Sequence, residues 1–155
     1  MPDAVSSESA VATAVALPMG YDPTALGPNR VIDVESCPAM AVPDPSGWIP
    51  EGSYIRFLAD PEQGPAFLHV TFDAGFVMPY HWHPHDTVYI ITRGEFIVEG
   101  EGSYVPGNVR WVKGGTAYGP EFTGPTGCEF YLITQGLFAV KNPAVDAPPN
   151  GPATG

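Results

Sequence analysis

The stretch Gly75-Phe76-Val77-Met78-Pro79-Tyr80-His81-Trp82-His83-Pro84-His85 holds three of the chain's four histidines, and the fourth, His69, lies just upstream. Histidine is the commonest metal ligand among side chains. Side chains alternate between the two faces of a β-strand, so His81 and His83 point the same way. Their ring nitrogens can then converge on one ion at about 2.0–2.2 Å, the bond length of a first-row metal. A helix would need i, i+4 spacing for the same result. The stretch reads as half of a metal site carried on a strand.

Outward from it, the chain is a series of short strand-like segments. Candidate strands are Tyr54–Leu58, Ala66–Phe72, Val77–His83, Thr87–Thr92, Glu95–Glu99, Val109–Lys113 and Cys128–Thr134. Between them lie Asp73-Ala74-Gly75, Arg93-Gly94, Gly100-Glu101-Gly102, Pro106-Gly107, Gly114-Gly115 and Gly124-Pro125-Thr126-Gly127, the residues of hairpins and bulges. Nineteen prolines and eighteen glycines leave no stretch with a sustained helical period. The fold class is therefore all-β, antiparallel and single-domain, a sandwich or barrel.

At 155 residues there is room for one domain with a real core. The expected organisation is a disordered arm (1–20), an extended proline-punctuated segment (21–45), the barrel (46–140) and a disordered Pro/Gly-rich tail (141–155). A net charge of −11 argues against a nucleic-acid partner and against an anionic membrane surface, since both demand basic patches. Six of the acids (Asp3, Glu8, Asp22, Asp33, Glu35, Asp44) precede the barrel, against Arg30 alone. Two cysteines, Cys37 and Cys128, are too few for a disulfide framework and read as reduced, Cys128 as a small core residue. The Ala/Val run at 10–17 is broken by Thr13 and stopped by Pro18, so it is neither a signal peptide nor a membrane span. A cytoplasmic protein is expected.

The spacing around the histidines is more specific than the histidines themselves. Gly75, His81-x-His83 and Gly94 match the frame of the first cupin motif, and Pro106-Gly107 with Gly115 matches most of the second. Tyr54 to Gly136 thus resembles a one-domain cupin, a jelly-roll β-barrel whose metal sits inside. The resemblance implies His81 and His83 as ligands, and sheets paired into a homodimer. The chain departs from the pattern elsewhere: Thr87 stands where a glutamate is usual, Lys113 where a proline is usual, and Tyr118 where a second-motif histidine is usual.

Strand parity then proposes the remaining site residues. His69, Glu99 and Tyr118 are the conceivable partners of the histidine pair. His69 is either a wall histidine or a ligand. Tyr118 either binds metal, donates a proton or packs. Tyr89 shares the face of Thr87, and some cupin lyases resemble this in using a tyrosine there; otherwise it is a core aromatic. Arg110 is an exposed strand residue or a clamp for a substrate carboxylate. Glu129 is a further carboxylate near the interior. Glu95, Glu99 and Glu101 can also be read as an acidic edge. His85 is expected in solvent, and Asp86 outward, bonded to a turn. Trp82, Tyr89, Trp111, Tyr118 and Phe130 are the aromatic supply for a pocket.

Two functions compete. The first is a metal-dependent enzyme on a small molecule, most concretely an Fe(II) dioxygenase of a small aromatic ketone or diketone, with Mn, Ni or Zn as other metals. Few protein ligands leave positions open for substrate and O₂. The same residues could run a lyase, decarboxylase or isomerase with Tyr89 or Glu99 as base. The second is a metal-free cupin whose barrel binds a small apolar ligand, as sensor, carrier or cyclase scaffold.

Overall fold

A computed structural model describes residues 31–42, 44 and 46–152. The expected arm 1–20 and the start of the extended segment lie outside the described residues. A short 3₁₀ turn (Val34–Ser36) precedes eight strands: β1 (Met40–Ala41), β2 (Ser53–Phe57), β3 (Ala66–Phe72), β4 (Val77–Met78), β5 (Thr87–Val98), β6 (Gly102–Tyr104), β7 (Val109–Val112) and β8 (Glu121–Thr134). They form one antiparallel sheet in the order β1-β2-β3-β8-β5-β6, with β4 also on β8 and β7 also on β5. The sheet is wrapped as a jelly-roll barrel. Among the described residues no helix is long and apolar enough to cross a membrane.

The alternation of β3 explains its wall. Leu68, Val70 and Phe72 are buried on the inner face, while Phe67 and Thr71 point away from it. The inner faces of β3, β5 and β8 meet in an aromatic cluster: Phe130 lies 5.2 Å from Phe72 at 85° and 5.1 Å from Phe96. Burying one such ring stabilises the barrel by about 1.5–3 kcal/mol.

β5 and β8 are longer than expected. Thr87–Thr92 and Glu95–Glu99 were read as two strands joined at Arg93-Gly94; they are one twelve-residue strand carrying two register shifts, at Ile91/Arg93 and Gly94/Phe96. The inner face therefore passes from Thr87, Tyr89 and Ile91 to Phe96 and Val98. Gly94 sits in the bulge at φ +71°, and a Cβ there would lie 2.0 Å from the Gly127 carbonyl oxygen. Only glycine fits both demands. Likewise Gly124-Pro125-Thr126-Gly127, read as a turn, lies within β8.

The segment after β8 departs from expectation too. Residues 141–152, expected to be disordered, lie hydrogen-bonded along the barrel. Trp82 and Lys141 exchange backbone hydrogen bonds, Ala117 N–H donates to Gly151 O, and Asn150 Nδ2 donates to Gly114 O at 2.9 Å. Proline prevents a continuous ladder but leaves carbonyls and asparagine side chains free to pair. At the other end, Arg56 Nε donates to Cys37 O at 3.0 Å, tying the N-terminal segment to β2.

Candidate functional site

The histidine pair is held by partners of three origins. β4 stops at Met78, short of the expected Val77–His83, and the chain continues past Pro79 into two isolated bridges. His81 exchanges backbone hydrogen bonds with Tyr118, and Trp82 with Lys141. Alternation survives: both histidines are buried and line one cavity. His81 Nδ1 lies 2.7 Å from Pro79 O, and His83 Nδ1 lies 2.6 Å from Ala139 O. A carbonyl only accepts, so each Nδ1 carries the proton and each Nε2 presents a lone pair. Burial holds both rings well below the ordinary imidazole range, His83 at about 4, so they are neutral at pH 7. Neutral imidazole is the form that ligates a metal.

Two phenols stand beside them. Tyr89 and Tyr118 hydroxyls are hydrogen-bonded to each other, and Tyr89 Oη is 3.4 Å from His83 Nε2. Because that nitrogen carries a lone pair, the contact can only have the phenol donating. Burial, above all, raises both tyrosines well above their ordinary value. They are neutral hydrogen-bond donors, not phenolates. Arg110 lies behind them, its guanidinium carbon 4.2 Å from the Tyr118 ring centroid and 5.2 Å from that of Tyr89. Its charge is met by Glu101, which accepts from Nε at 2.6 Å and also from Nη2. Arg110 is therefore buried, and its carboxylate partner belongs to the protein.

The residue that parity missed is Glu121. It opens β8, is 2 % exposed, and lines the same cavity as the histidines. Burial pushes its carboxyl up to about 8, against the opposing charge of Arg110. Among the described residues its Oε1 has no hydrogen-bond partner, and it lies 3.9 Å from His81 Nε2. Counting parity back from Cys128 places Glu121 outside; the irregular Gly124–Gly127 stretch reverses the face. A clue existed in Glu121 following Tyr118 so closely, but no spacing marked it.

Whether these residues suit a metal depends on donor type and direction. Two neutral imidazole nitrogens and an unpaired buried carboxylate oxygen are the donors that non-haem iron takes. Two donors about 2.1 Å from one ion can be up to about 4.2 Å apart, so the His81–Glu121 spacing lies within reach. Among the described residues, no three His, Cys, Asp or Glu side chains already stand together in ligating geometry. The donors fit in kind, and side chains must rotate to close on an ion.

Several expected site residues lie elsewhere. His69 is on the outer face of β3, between Glu129 (3.6 Å) and Arg56 (3.4 Å), because its neighbours Leu68 and Val70 take the inner face. Glu129 faces outward as well, where it accepts from Arg93 Nε at 2.7 Å. Glu99 is exposed in the turn after β5, outside the cavity, because the bulges turned Phe96 and Val98 inward. Trp111 is 59 % exposed, since Arg110 and Val112 are the buried residues of β7. Trp82 packs beneath the C-terminal segment, away from the histidines. Asp86 does bond a turn, accepting from Gly114 N–H at 2.8 Å.

The remaining wall is apolar apart from Ser53, with Ile55, Val70, Phe72, Phe130 and Leu132 from the sheet and Val42, Phe138 and Val140 from the segments that flank it. The cavity itself has about 30 Å³ of room, enough for one or two waters, and opens beyond that to solvent. It is an apolar chamber with a polar cluster at one place.

No family model matches the chain, and no curated protein sequence matches it. Solved structures do. The polyketide cyclase RemF from Streptomyces resistomycificus superposes with a TM-score of 0.59 at 18% identity, over 74% of this chain and 84% of that one. A putative acetylacetone dioxygenase from Methylibium petroleiphilum PM1 gives 0.57 at 18%, over 72% and 87%. An RmlC-like cupin from Ralstonia eutropha JMP134 gives 0.56 at 18%, over 78% and 85%. The chain has the cupin fold. These structures, each 18% identical, bear different activities, so the likeness shows the fold alone.

Proposed function

We propose that this protein is a metal-dependent enzyme acting on a small carbonyl compound inside the barrel, most concretely an Fe(II) dioxygenase of a small aromatic ketone or diketone. The observation that supports this is one: two lone-pair imidazole nitrogens and an unpaired carboxylate oxygen share a wall of an otherwise apolar cavity. His81, His83 and Glu121 would hold the ion. Bound iron would supply Lewis acidity toward substrate oxygens and a position for O₂. The phenyl and aliphatic walls would take the hydrocarbon part of the substrate and exclude water. The Tyr89 hydroxyl, backed by Tyr118, would donate a hydrogen bond to the substrate oxygen as negative charge develops there. Arg110 would hold Tyr118 from behind rather than clamp the substrate.

One observation favours a second reading. A carboxyl titrating at about 8 suits a general acid–base near neutral pH. Glu121 would then take a proton from a carbon next to the carbonyl and return it elsewhere, as an isomerase or lyase does, without an oxidant.

Elemental analysis of protein purified without chelator tests the metal. Stoichiometric iron, absent from a His81→Ala/His83→Ala variant, is expected; no metal after reloading with Fe(II), Mn(II), Ni(II) or Zn(II) refutes the reading. Oxygen uptake with acetylacetone and aryl diketones then separates the two chemistries. Deuterium exchange at the substrate's α-carbon without uptake supports the second.

A further inference from the structure

The two histidines are anchored very differently. His81 takes its Nδ1 acceptor from Pro79, two residues away on the same local segment. His83 takes its acceptor from Ala139, 56 residues along the chain, in the strap that follows β8. The first anchor is present wherever the local segment is folded. The second exists only while the strap lies on the barrel.

The strap does more than supply one carbonyl. Phe138 and Val140 line the cavity, and the Phe138 ring lies 5.5 Å from the His83 ring at 33°. Its hold on the barrel passes through Trp82, the residue between the two histidines. Alternation sends that indole away from the cavity, where Nε1 donates to Asp146 O at 2.7 Å. Trp82 also exchanges backbone hydrogen bonds with Lys141 at 3.2 and 2.9 Å, and Lys141 Nζ lies 3.4 Å from Asp146 Oδ2. One residue thus joins the candidate ligands on one side to the strap on the other.

We propose that the strap, residues 136–152, positions His83 and is latched by Trp82, so that strap docking and cavity occupancy are coupled. Loss of the latch frees the Ala139 carbonyl and leaves the His83 ring free to rotate and to move its proton to Nε2, while His81 keeps its tautomer. Linkage is reciprocal: whatever binds His83 Nε2 holds the strap down by the same factor. The occupancy half rests on the metal-centre reading above; the positioning half does not.

The test compares the full chain with full-length Trp82→Phe, which keeps a ring in place and deletes the Asp146 hydrogen bond, and with Trp82→Phe/Lys141→Ala. Metal-free protein is read by ¹⁵N chemical shifts of the two histidines and by hydrogen exchange of the Lys141 amide. Manganese(II) affinity is read by calorimetry. In the variants the Lys141 amide exchanges faster, His83 becomes a mixture of tautomers and His81 does not change. Mn(II) affinity falls about tenfold, the lower end of what losing the hydrogen-bond partner of a metal-bound histidine costs. Mn(II) added to the parent slows exchange at Lys141. Unchanged exchange in both variants overturns the latch. Faster exchange with an unaltered His83 tautomer overturns the positioning role. A tautomer shift in the variants, with a parent that binds no Mn(II), leaves the positioning role standing and overturns the coupling along with the metal reading. Trp82→Phe alone supplies the tautomer readout if the double variant does not fold.

Discussion

Glu121 Oε1 faces His81 Nε2 at 3.9 Å inside the barrel, and among the described residues the carboxyl oxygen has no hydrogen-bond partner. An imidazole lone pair and a carboxyl oxygen turned toward each other repel unless a proton or a cation lies between them. Burial supplies one answer by keeping the carboxyl protonated up to about pH 8. A divalent ion supplies the other, and the donors are those that such an ion takes.

Glu121→Gln separates the two. The amide keeps the shape and removes the charge, so Mn(II) or Fe(II) affinity falls by at least the roughly tenfold that losing even a ligand's hydrogen-bond partner costs. Stability without metal changes by no more than about 1 kcal/mol, because a neutral polar group replaces a mostly protonated one. Calorimetric titration and urea unfolding measure both; equal metal affinity refutes Glu121 as a ligand.

Glu101→Gln strips Arg110 of its counter-charge. Arg110's side chain is 4 % exposed, and its Nη1 already lacks a partner. Breaking a buried ion pair from one side costs about 3–5 kcal/mol, and Glu101's partial exposure places this one near 3. Urea unfolding reads the loss. A cost below about 1 kcal/mol shows that water reaches the guanidinium.

Gly94→Ala and Gly107→Ala form a matched pair. Both glycines have positive φ, +71° and +93°, but a Cβ at Gly107 meets nothing within 4 Å. Gly107→Ala costs about 1–2 kcal/mol of backbone strain. Gly94→Ala adds a collision with the Gly127 carbonyl and costs well beyond that, more than about 4 kcal/mol or outright failure to fold. Equal costs at the two positions show that the bulge relaxes.

His69 makes a pH-dependent contribution from outside the cavity. Burial, helped by Arg56 and opposed by Glu129, holds its pKa below the usual 6.5. Below that value the unfolded chain binds the proton more readily, so stability falls as pH drops through 6.5. His81 and His83 act in the same direction. In His69→Gln the loss of stability between pH 7 and about pH 5.5 is smaller but still present. An unchanged slope, measured as urea midpoints, shows that the Glu129 pairing cancels the burial.

Much of the barrel was readable because short strands with glycine between them leave a strong trace. The His81/His83 parity needed only local alternation, and both rings do face one cavity. What failed were inferences carried across a bulge. Glu99 is expected near the interior on a strand of its own, but Phe96 and Val98 take the inner face and β5 ends before it; Glu121 is missed because Gly124–Gly127 reads as a turn before Cys128. His69 and Glu129 were ambiguous for a different reason: parity says which residues share a face, not which face is inside. The strap was invisible because its partners are backbone carbonyls, which every residue has. Arg110 was legible as a residue in need of a carboxylate, but Glu101, nine positions on the other side of a turn, was grouped with an acidic edge.

Among the described residues β8 is the last strand, and it pairs with β3, β4 and β5 at once. A growing polypeptide still lacking residues 121–134 has no central staple, and its earlier strands have open edges and uncovered phenyl rings. The chamber cannot exist during most of translation. Its closure waits on the fourteen residues of β8 and on the strap that brings Ala139 to His83. Non-local closure of this sort is slow and leaves apolar surface uncovered until it is complete.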